Sequence, residues 1–563
     1  MKYMARVILI ISTGFILFWT MYINPASASN GIDNIGPKTE QVKNERYGHI
    51  YYVSVRSGSD KKGDGSAVKP WQTLVFALRQ IGDVSVSSPC AIFTAAGKYD
   101  QGTVHMRAFI DIYGGFEDRS WERDIDEYKT ELDGQGVRRV VIGADKSKID
   151  GFTIQHGLGE GHGGAILCDD TSPEISNNYI LDNLAAGPMH FNRNRIHQEG
   201  HHGGAIACLY NAVPVIRNNY FQGNKTAIGN GGAVAFYGWL RLPDAPEPVL
   251  ENNRMTGGLQ ALLENNIFIH NIAGMDDLSR TRSSNGGAVS CAFEARPVIR
   301  NNLLIGNQAR GRGDAGGIYV EYFSYPLIEG NRIVGNIGDD DGGGIYVMKL
   351  SHPVIRENLI TGNWTLGGGV GGIRISKEGR ATISANKIFA NPGGGIQCVD
   401  SYVEIENNLI FNNSGAYGIY FSSNFDYMKP SFIRENTIRE NRKGDFIVAK
   451  NTAQAPLFAK NNVDDQSIEE GPGNFNTDPA FVDDGFNGEF VGMIHDRQGM
   501  SYQVEIKEPL PDEPDLQGRI IKIGDHWGVI RTSRGHRLVV WGDFEILPPT
   551  ISRFEIVPSY SVK

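Results

Sequence analysis

The sequence predicts an all-β chain built as a solenoid, a parallel β-helix, and three observations carry that reading. One phrase occurs nearly twice, GGIYVEYFSYPLIEGNRIVGN from Gly316 and GGIYVMKLSHPVIRENLITGN from Gly343. Its Gly-Gly opening returns at Gly163, Gly203, Gly231, Gly286, Gly371 and Gly394, with a single-glycine form at Gly418. Its second half leaves an asparagine column, Asn178, Asn219, Asn266, Asn302, Asn331, Asn358, Asn386, Asn408 and Asn436, each followed five residues later by another Asn, from Asn183 to Asn441. Apolar residues alternate within short runs that Gly, Pro and Asn interrupt, which describes strands turning corners rather than helices. A repeat of this size cannot bury its own apolar face, so it must stack on its neighbours.

The elements follow in chain order. Met1 to Ala28 reads as a signal peptide: Lys2 and Arg6 precede an apolar run, and Ala26-Ser27-Ala28 offers a cleavage site. The run is long for a signal, so an uncleaved anchor is the other reading. Both place the body of the protein outside the cytoplasm, secreted or in the cell envelope. Residues 29–49 read as a loose, flexible polar leader, and 50–485 form the solenoid with its cap. The cap is a strand from Tyr51 and a short amphipathic helix with Leu74, Ala77, Leu78 and Ile81 on one face. It hides the open edge and core of the first rung. Inserted segments follow Asn183, Tyr237 and Asn271, where corner insertions build groove walls. Asn253 and Asn266 are too close for a full rung, and the first is expected to be the inserted one. Residues 486–563 read as a small antiparallel β domain with a core from Ile521, Ile523, Val529, Ile530, Val539 and Val540, placed as a cap on the last rung.

Seventy glycines suit a turn-dense solenoid, and a net charge of −10 argues against a general nucleic-acid binder. Soluble neutral or cation-bridged polymers are easier partners. Five cysteines form neither a disulfide framework nor a zinc pattern. Cys168 and Cys208 occupy matching positions, which fits either a bridge between adjacent rungs or two small residues filling a stack.

Residues within a rung alternate in and out. Ala165, Ala205, Ala233, Ala288 and Ile318 head one expected core column, and Leu167, Ala207, Ala235, Ser290 and Val320 head the other. Outward columns then hold Tyr319, Tyr346, Arg374 and Tyr420, with Phe236, Glu321 and Met348, and with Tyr237, Tyr322, Lys349 and Lys377. Tyrosines Tyr237, Tyr319, Tyr322, Tyr346 and Tyr420 are candidates to stack on sugar rings, with charges reaching hydroxyls and carboxylates; such ladders also form by cross-strand pairing alone. Asp314 and Asp341 should stack, and with Asp339 and Asp340 they are candidate ligands for Ca²⁺. His162 and His202 should stack too. The asparagines are expected to bond backbone groups and the Asn of the next rung.

These motifs, from about Tyr51 to Asp483, resemble the right-handed parallel β-helix superfamily, the pectate-lyase-like fold. The resemblance implies fold more than reaction, because the superfamily hosts lyases, hydrolases, epimerases and scaffolds. It implies an exported protein that engages polysaccharide. A lyase is the candidate reaction, with Lys349, Lys377, Arg374 and Glu321 as catalytic candidates and Ca²⁺ acidifying a uronate. A non-catalytic binding or adhesion scaffold is the alternative. The family's signatures give no support: Gly161-His162-Gly163 and Asn476-Thr477-Asp478 stand in the wrong order for a polygalacturonase, and D-P-H-[DE] is absent.

Overall fold

The computed structural model describes residues 35–187, 200–238, 250–251, 254–255, 260–275, 283–464, 472–479, 485–496, 500–510, 516–542, 544 and 551–558. The signal and much of the three inserted segments lie outside the described residues.

Short parallel strands stack into sheets of fourteen, thirteen, twelve and seven strands. The 14-stranded sheet begins at His49–Val53 and ends at Leu457–Ala459; the 12-stranded sheet runs from Val104–His105 to Phe446–Val448; the 13-stranded sheet runs from Gly97–Tyr99 to Asn462–Val463. The expected cap is present. Helix Leu74–Gln80 starts at Thr73, whose side chain accepts from the Phe76 N–H, and it buries Leu74, Ala77 and Leu78.

Two side-chain ladders turn the corners. The Oδ1 of each ladder asparagine accepts both the backbone N–H and the Nδ2–H of the Asn one rung earlier; Asn302 donates to Asn331 at 2.9 and 3.0 Å, and Asn331 to Asn358 at 2.9 and 3.0 Å. The other amide proton meets a strand carbonyl, as Asn331 Nδ2 meets Ile299 O at 2.9 Å. Every side-chain polar group of a ladder asparagine such as Asn331 is thereby paired. Asn266, not Asn253, carries the ladder between Asn219 and Asn302. The residue before each ladder Asn turns through left-handed backbone, as at Asn218 (φ 55°) and Gly330 (φ 64°).

The core columns differ from expectation by one residue in the early rungs. Ile318 pairs with Val289, not Ala288, and the same column continues through Val234, Ile206 and Ile166. The second inward column is Cys168, Cys208, Phe236, Cys291, Val320 and Val347, so Phe236 lies in the core. Ala165, Ala205, Ala233 and Ala288 are buried in the same core one position before this column, and the Gly-Gly pairs of early and late rungs sit one position apart. All five cysteines are buried and free, with Cys168 and Cys208 directly opposite one another.

The C-terminal strands, Phe486–Asp496, Ser501–Ile506, Ile520–Ile523, His526–Arg534, Arg537–Gly542 and Arg553–Ile556, close a six-stranded antiparallel barrel. Ile521, Ile523, Ile530 and Val540 fill it with Leu538, whereas Val539 is half-buried on the other face of its strand. The barrel does not sit on the last rung. It docks on the flank of the 13-stranded sheet, where Ile520, Val529 and Trp541 pack with Tyr220, Ile269, Ile305, Val334, Phe389 and Phe411. Trp527 lies so close to Gly335 and Gly362 that a Cβ on either would stand 3.0 or 2.3 Å from its atoms.

Candidate functional site

The solenoid presents three broad outer faces, and two are accounted for structurally. The 13-stranded face is the barrel's seat. The 14-stranded face carries alternating charges in register, with Arg217–Glu174, Arg300–Glu264, Arg356–Glu329 and Arg434–Glu406 pairs between neighbouring rungs. Such exposed pairs are each worth about 0–1 kcal/mol and suit a solvated wall.

The 12-stranded face is different. At its corner, side chains form a mixed ladder in which each accepts the backbone N–H of the next rung. His162 Nδ1 accepts from His202 (3.1 Å), His202 Nδ1 from Asn230 (3.0 Å), Asn230 Oδ1 from Asn285 (2.9 Å), Asn285 Oδ1 from Asp314 (2.8 Å), and Asp314 Oδ1 from Asp341 (3.1 Å). The shifted register joins into one column the histidines and aspartates that the sequence presents as separate features. The expected His162–His202 stack is present, with ring centres 5.1 Å apart.

From this ladder a buried polar network crosses the face. The Tyr237 hydroxyl meets His202 Nδ1 at 3.0 Å and accepts from Asn230 Nδ2 at 3.0 Å. Asn230 Nδ2 also reaches Glu321 Oε1 at 3.3 Å. Glu321 Oε2 accepts from the Tyr319 hydroxyl (3.0 Å) and from Lys349 Nζ (2.8 Å), and Lys349 Nζ donates to the Tyr322 hydroxyl (2.7 Å). His202, Asn230, Tyr237 and Glu321 are all buried. The floor beneath is made of small residues, Ala207, Ala235, Ser290 and Ala292.

The electrostatics follow from burial and pairing. Burial, reinforced by the Glu321 carboxylate, holds the phenols of Tyr237 and Tyr319 well above their ordinary pKa. Burial works against the charge on Lys349, but Glu321 and the bonds to Glu321 and Tyr322 outweigh it, and its pKa is raised. Lys349 is therefore a fixed cation in the free protein. Arg374 pairs with Asp341 at 3.1 Å and bonds Gln397. Lys377 is exposed.

Carboxylate oxygens of Asp314, Asp340 and Asp341 lie within 4.8 Å of one another, an arrangement able to hold a hard cation. Asp339 is not among them, because its Oδ2 accepts from the Gly311 N–H at 2.7 Å. Burial, then the neighbouring Asp341 and Asp340, push the Asp314 carboxyl up to about 7. Burial also raises Asp341, against the pull of Arg374.

Several expectations are corrected here. Tyr319, Tyr346, Arg374, Gln397 and Tyr420 do share one column in register. Yet Tyr319, Tyr346 and Tyr237 are buried rather than displayed. Tyr319 and Tyr346 pack edge to face, 5.9 Å apart, with Ala315 and Met348, so the turn before the strand roofs them. Tyr237 belongs with Ala292 and precedes the position of Tyr322, Lys349 and Lys377 rather than sharing their column. Tyr322 and Tyr420 remain half-buried, and Tyr322 stacks on Phe293 at 4.7 Å. Asn230 escaped sequence reading; its position directly before Gly231, matching His162 and His202 before their glycines, is the signal that would have found it.

The right-handed β-helix region model matches residues 140–370 and 287–463, and the chain belongs to that family. No curated protein matches the sequence. Among solved structures, a mannuronic-acid-specific family 6 polysaccharide lyase from the human gut microbiota is 12% identical, over 76% of this chain and 92% of that one, with a TM-score of 0.42. XylC in complex with xylose is 12% identical over 91% and 98%, with a TM-score of 0.38, and the periplasmic alginate epimerase AlgG is 13% identical over 69% and 81%, with a TM-score of 0.32. These likenesses concern the fold alone.

Proposed function

We propose that this is an exported protein that engages a polysaccharide on the outer face of the 12-stranded sheet, and that it acts there as a lyase on a uronate polymer. The observation that carries the reading is the buried network of His202, Tyr237, Asn230, Glu321 and Lys349 on a face that the barrel does not cover. Polar groups buried together away from any structural seam are high-stakes placements, and they concentrate at functional sites. In this reading Asp314, Asp340 and Asp341 hold Ca²⁺, which supplies charge to acidify the uronate. Arg374 and Lys349 pair with substrate carboxylates, and Glu321 positions Lys349. Lys377, exposed beside Lys349 on the next rung, is the base. The base takes the proton beside the carboxylate, its electrons form a carbon–carbon double bond as the bond from the neighbouring ring carbon to the glycosidic oxygen breaks, and that oxygen leaves with the pair and takes a proton from water.

A second reading has its own support. Lys349 and Arg374 are both already ion-paired, which suits a binding or adhesion scaffold of the cell envelope that turns nothing over. Incubation with a panel of uronate polymers and Ca²⁺ separates the two. Rising ultraviolet absorbance from unsaturated product, lost in Lys377→Ala, supports the lyase. Glycan binding that depends on Arg374 without any product supports the scaffold. Neither product nor binding refutes both.

A further inference from the structure

A cavity of about 460 Å³ lies over the first rungs of the 14-stranded sheet. That volume falls within the ~300–1,000 Å³ of small-molecule sites. Its floor is Phe93 stacked on Phe116 at 4.3 Å, and Trp121 and Tyr128 are half-buried in its wall. Gln41 and Asn44 close one side, and Glu122, Asp124 and Glu127 line the other.

Trp121 is placed there by a built turn. Its backbone is left-handed at φ 58°, unusual for a bulky side chain. Glu117 Oε2 accepts the N–H groups of Arg119 and Ser120, both at 2.6 Å, and the Glu117 N–H donates to Glu122 O at 2.9 Å. The indole Nε1 donates to Ala67 O at 3.3 Å, which fixes the ring.

The charges select the ligand. Arg123 is the one cation among the described residues lining the cavity, and it is already spent: its guanidinium donates to Gly114 O, Glu40 O and Asp150, forming an ion pair with the last at 2.5 Å. No second cation among the described residues lines this cavity to meet a uronate, sulfate or phosphate. Carboxylates and amides that accept from hydroxyls, beside aromatic rings that stack on C–H faces, suit a neutral sugar. An ammonium cage is a poorer fit, because Phe93 and Phe116 stack face to face at 4.3 Å and so form a floor rather than walls around a cation.

We infer that this cavity is a second carbohydrate site, specific for a neutral sugar unit and separate from the face of the 12-stranded sheet. The test is titration of the full chain with neutral cello-, manno- and xylo-oligosaccharides and with oligouronates, read by calorimetry and tryptophan fluorescence. At least one neutral series should bind, and the oligouronates should not compete. Trp121→Ala should weaken binding tenfold or more. Glu122→Gln, which leaves the turn's backbone bonds intact, should weaken it several-fold with unchanged circular dichroism. Lys377→Ala should leave it unchanged. Absence of binding by every neutral series, equal affinity in Glu122→Gln and Trp121→Ala, or displacement by tetramethylammonium would each overturn the inference.

Discussion

The backbone N–H of Asp341 donates to the carboxylate of Asp314 one rung away, at 3.1 Å. Two acids are thereby held in one column, with Asp340 beside them. The Asp314 carboxyl is pushed up to about 7 by burial and by these neighbours, from an ordinary value near 4. A carboxyl raised on folding stabilises the fold fully below its unfolded pKa, and that contribution is lost as pH rises through the folded pKa. The wild-type melting temperature should therefore fall between pH 5 and pH 8 by more than that of Asp314→Asn, in which the amide oxygen still accepts from Asp341. Millimolar Ca²⁺ should restore part of the difference at pH 8 in the wild type only. Parallel pH curves for the two proteins would show that Asp314 does not titrate as described.

Tyr319 and Tyr346 pack against each other, and the Tyr346 hydroxyl bonds Ser376 Oγ at 2.6 Å. Truncating a buried aromatic side chain to alanine costs about 3–5 kcal/mol. The double variant Tyr319→Ala, Tyr346→Ala should melt well below the wild type in thermal unfolding followed by circular dichroism. An unchanged melting temperature with lost glycan binding would instead make these rings sugar platforms.

The Asn331 side chain accepts two bonds from Asn302 and gives one each to Ile299 O and Asn358 Oδ1. Asn331→Ala leaves those buried groups unpaired, at about 1–3 kcal/mol for each that finds no water. Arg434→Ala removes only a solvent-screened ion pair with Glu406 and should leave stability close to the wild type. Urea titrations of the two variants, compared at equal slope, check the contrast.

Gly362 has φ 66° and would place a Cβ 2.3 Å from the Trp527 indole. Gly362→Ala should loosen the barrel on both counts, raising proteolytic cleavage before residue 486 several-fold. Trp527→Ala should loosen it without strain in the solenoid. A Gly362→Ala protein that resists protease like the wild type would show that the seat is not tight at this point.

The sequence exposes the parts of this fold that every rung must repeat. Each ladder asparagine bonds its predecessor and its successor, so losing one breaks two rungs, and the column survives in plain view from Asn178 to Asn436. The register shift between Gly286 and Gly316 does not show, because a Gly-Gly pair looks the same on either side of it. That single position hid the continuity of His202, Asn230, Asn285 and Asp314. Burial at Tyr237 and Tyr319 was also out of reach. Alternation gives the direction of a side chain, but whether a turn roofs it depends on contacts between rungs that no single rung records. The barrel's strands were legible from turns and alternation; its seat was not, since the apolar Ile269, Ile305 and Val334 read equally as strand residues facing inward.

The barrel's seat has a consequence for how the molecule comes apart. A solenoid is close to one-dimensional, and its end rungs fray because each is held by a single neighbour. Here the chain runs past its last rung and folds back, so that one globular unit grips rungs from Tyr220 to Phe411 at once. It acts as a splint. Peeling a rung within that span means lifting the splint from all of them, which converts a zipper into a block that opens together. Among the described residues, the rungs beyond Phe411 and before Tyr179 lie outside that brace and should exchange their amide protons first.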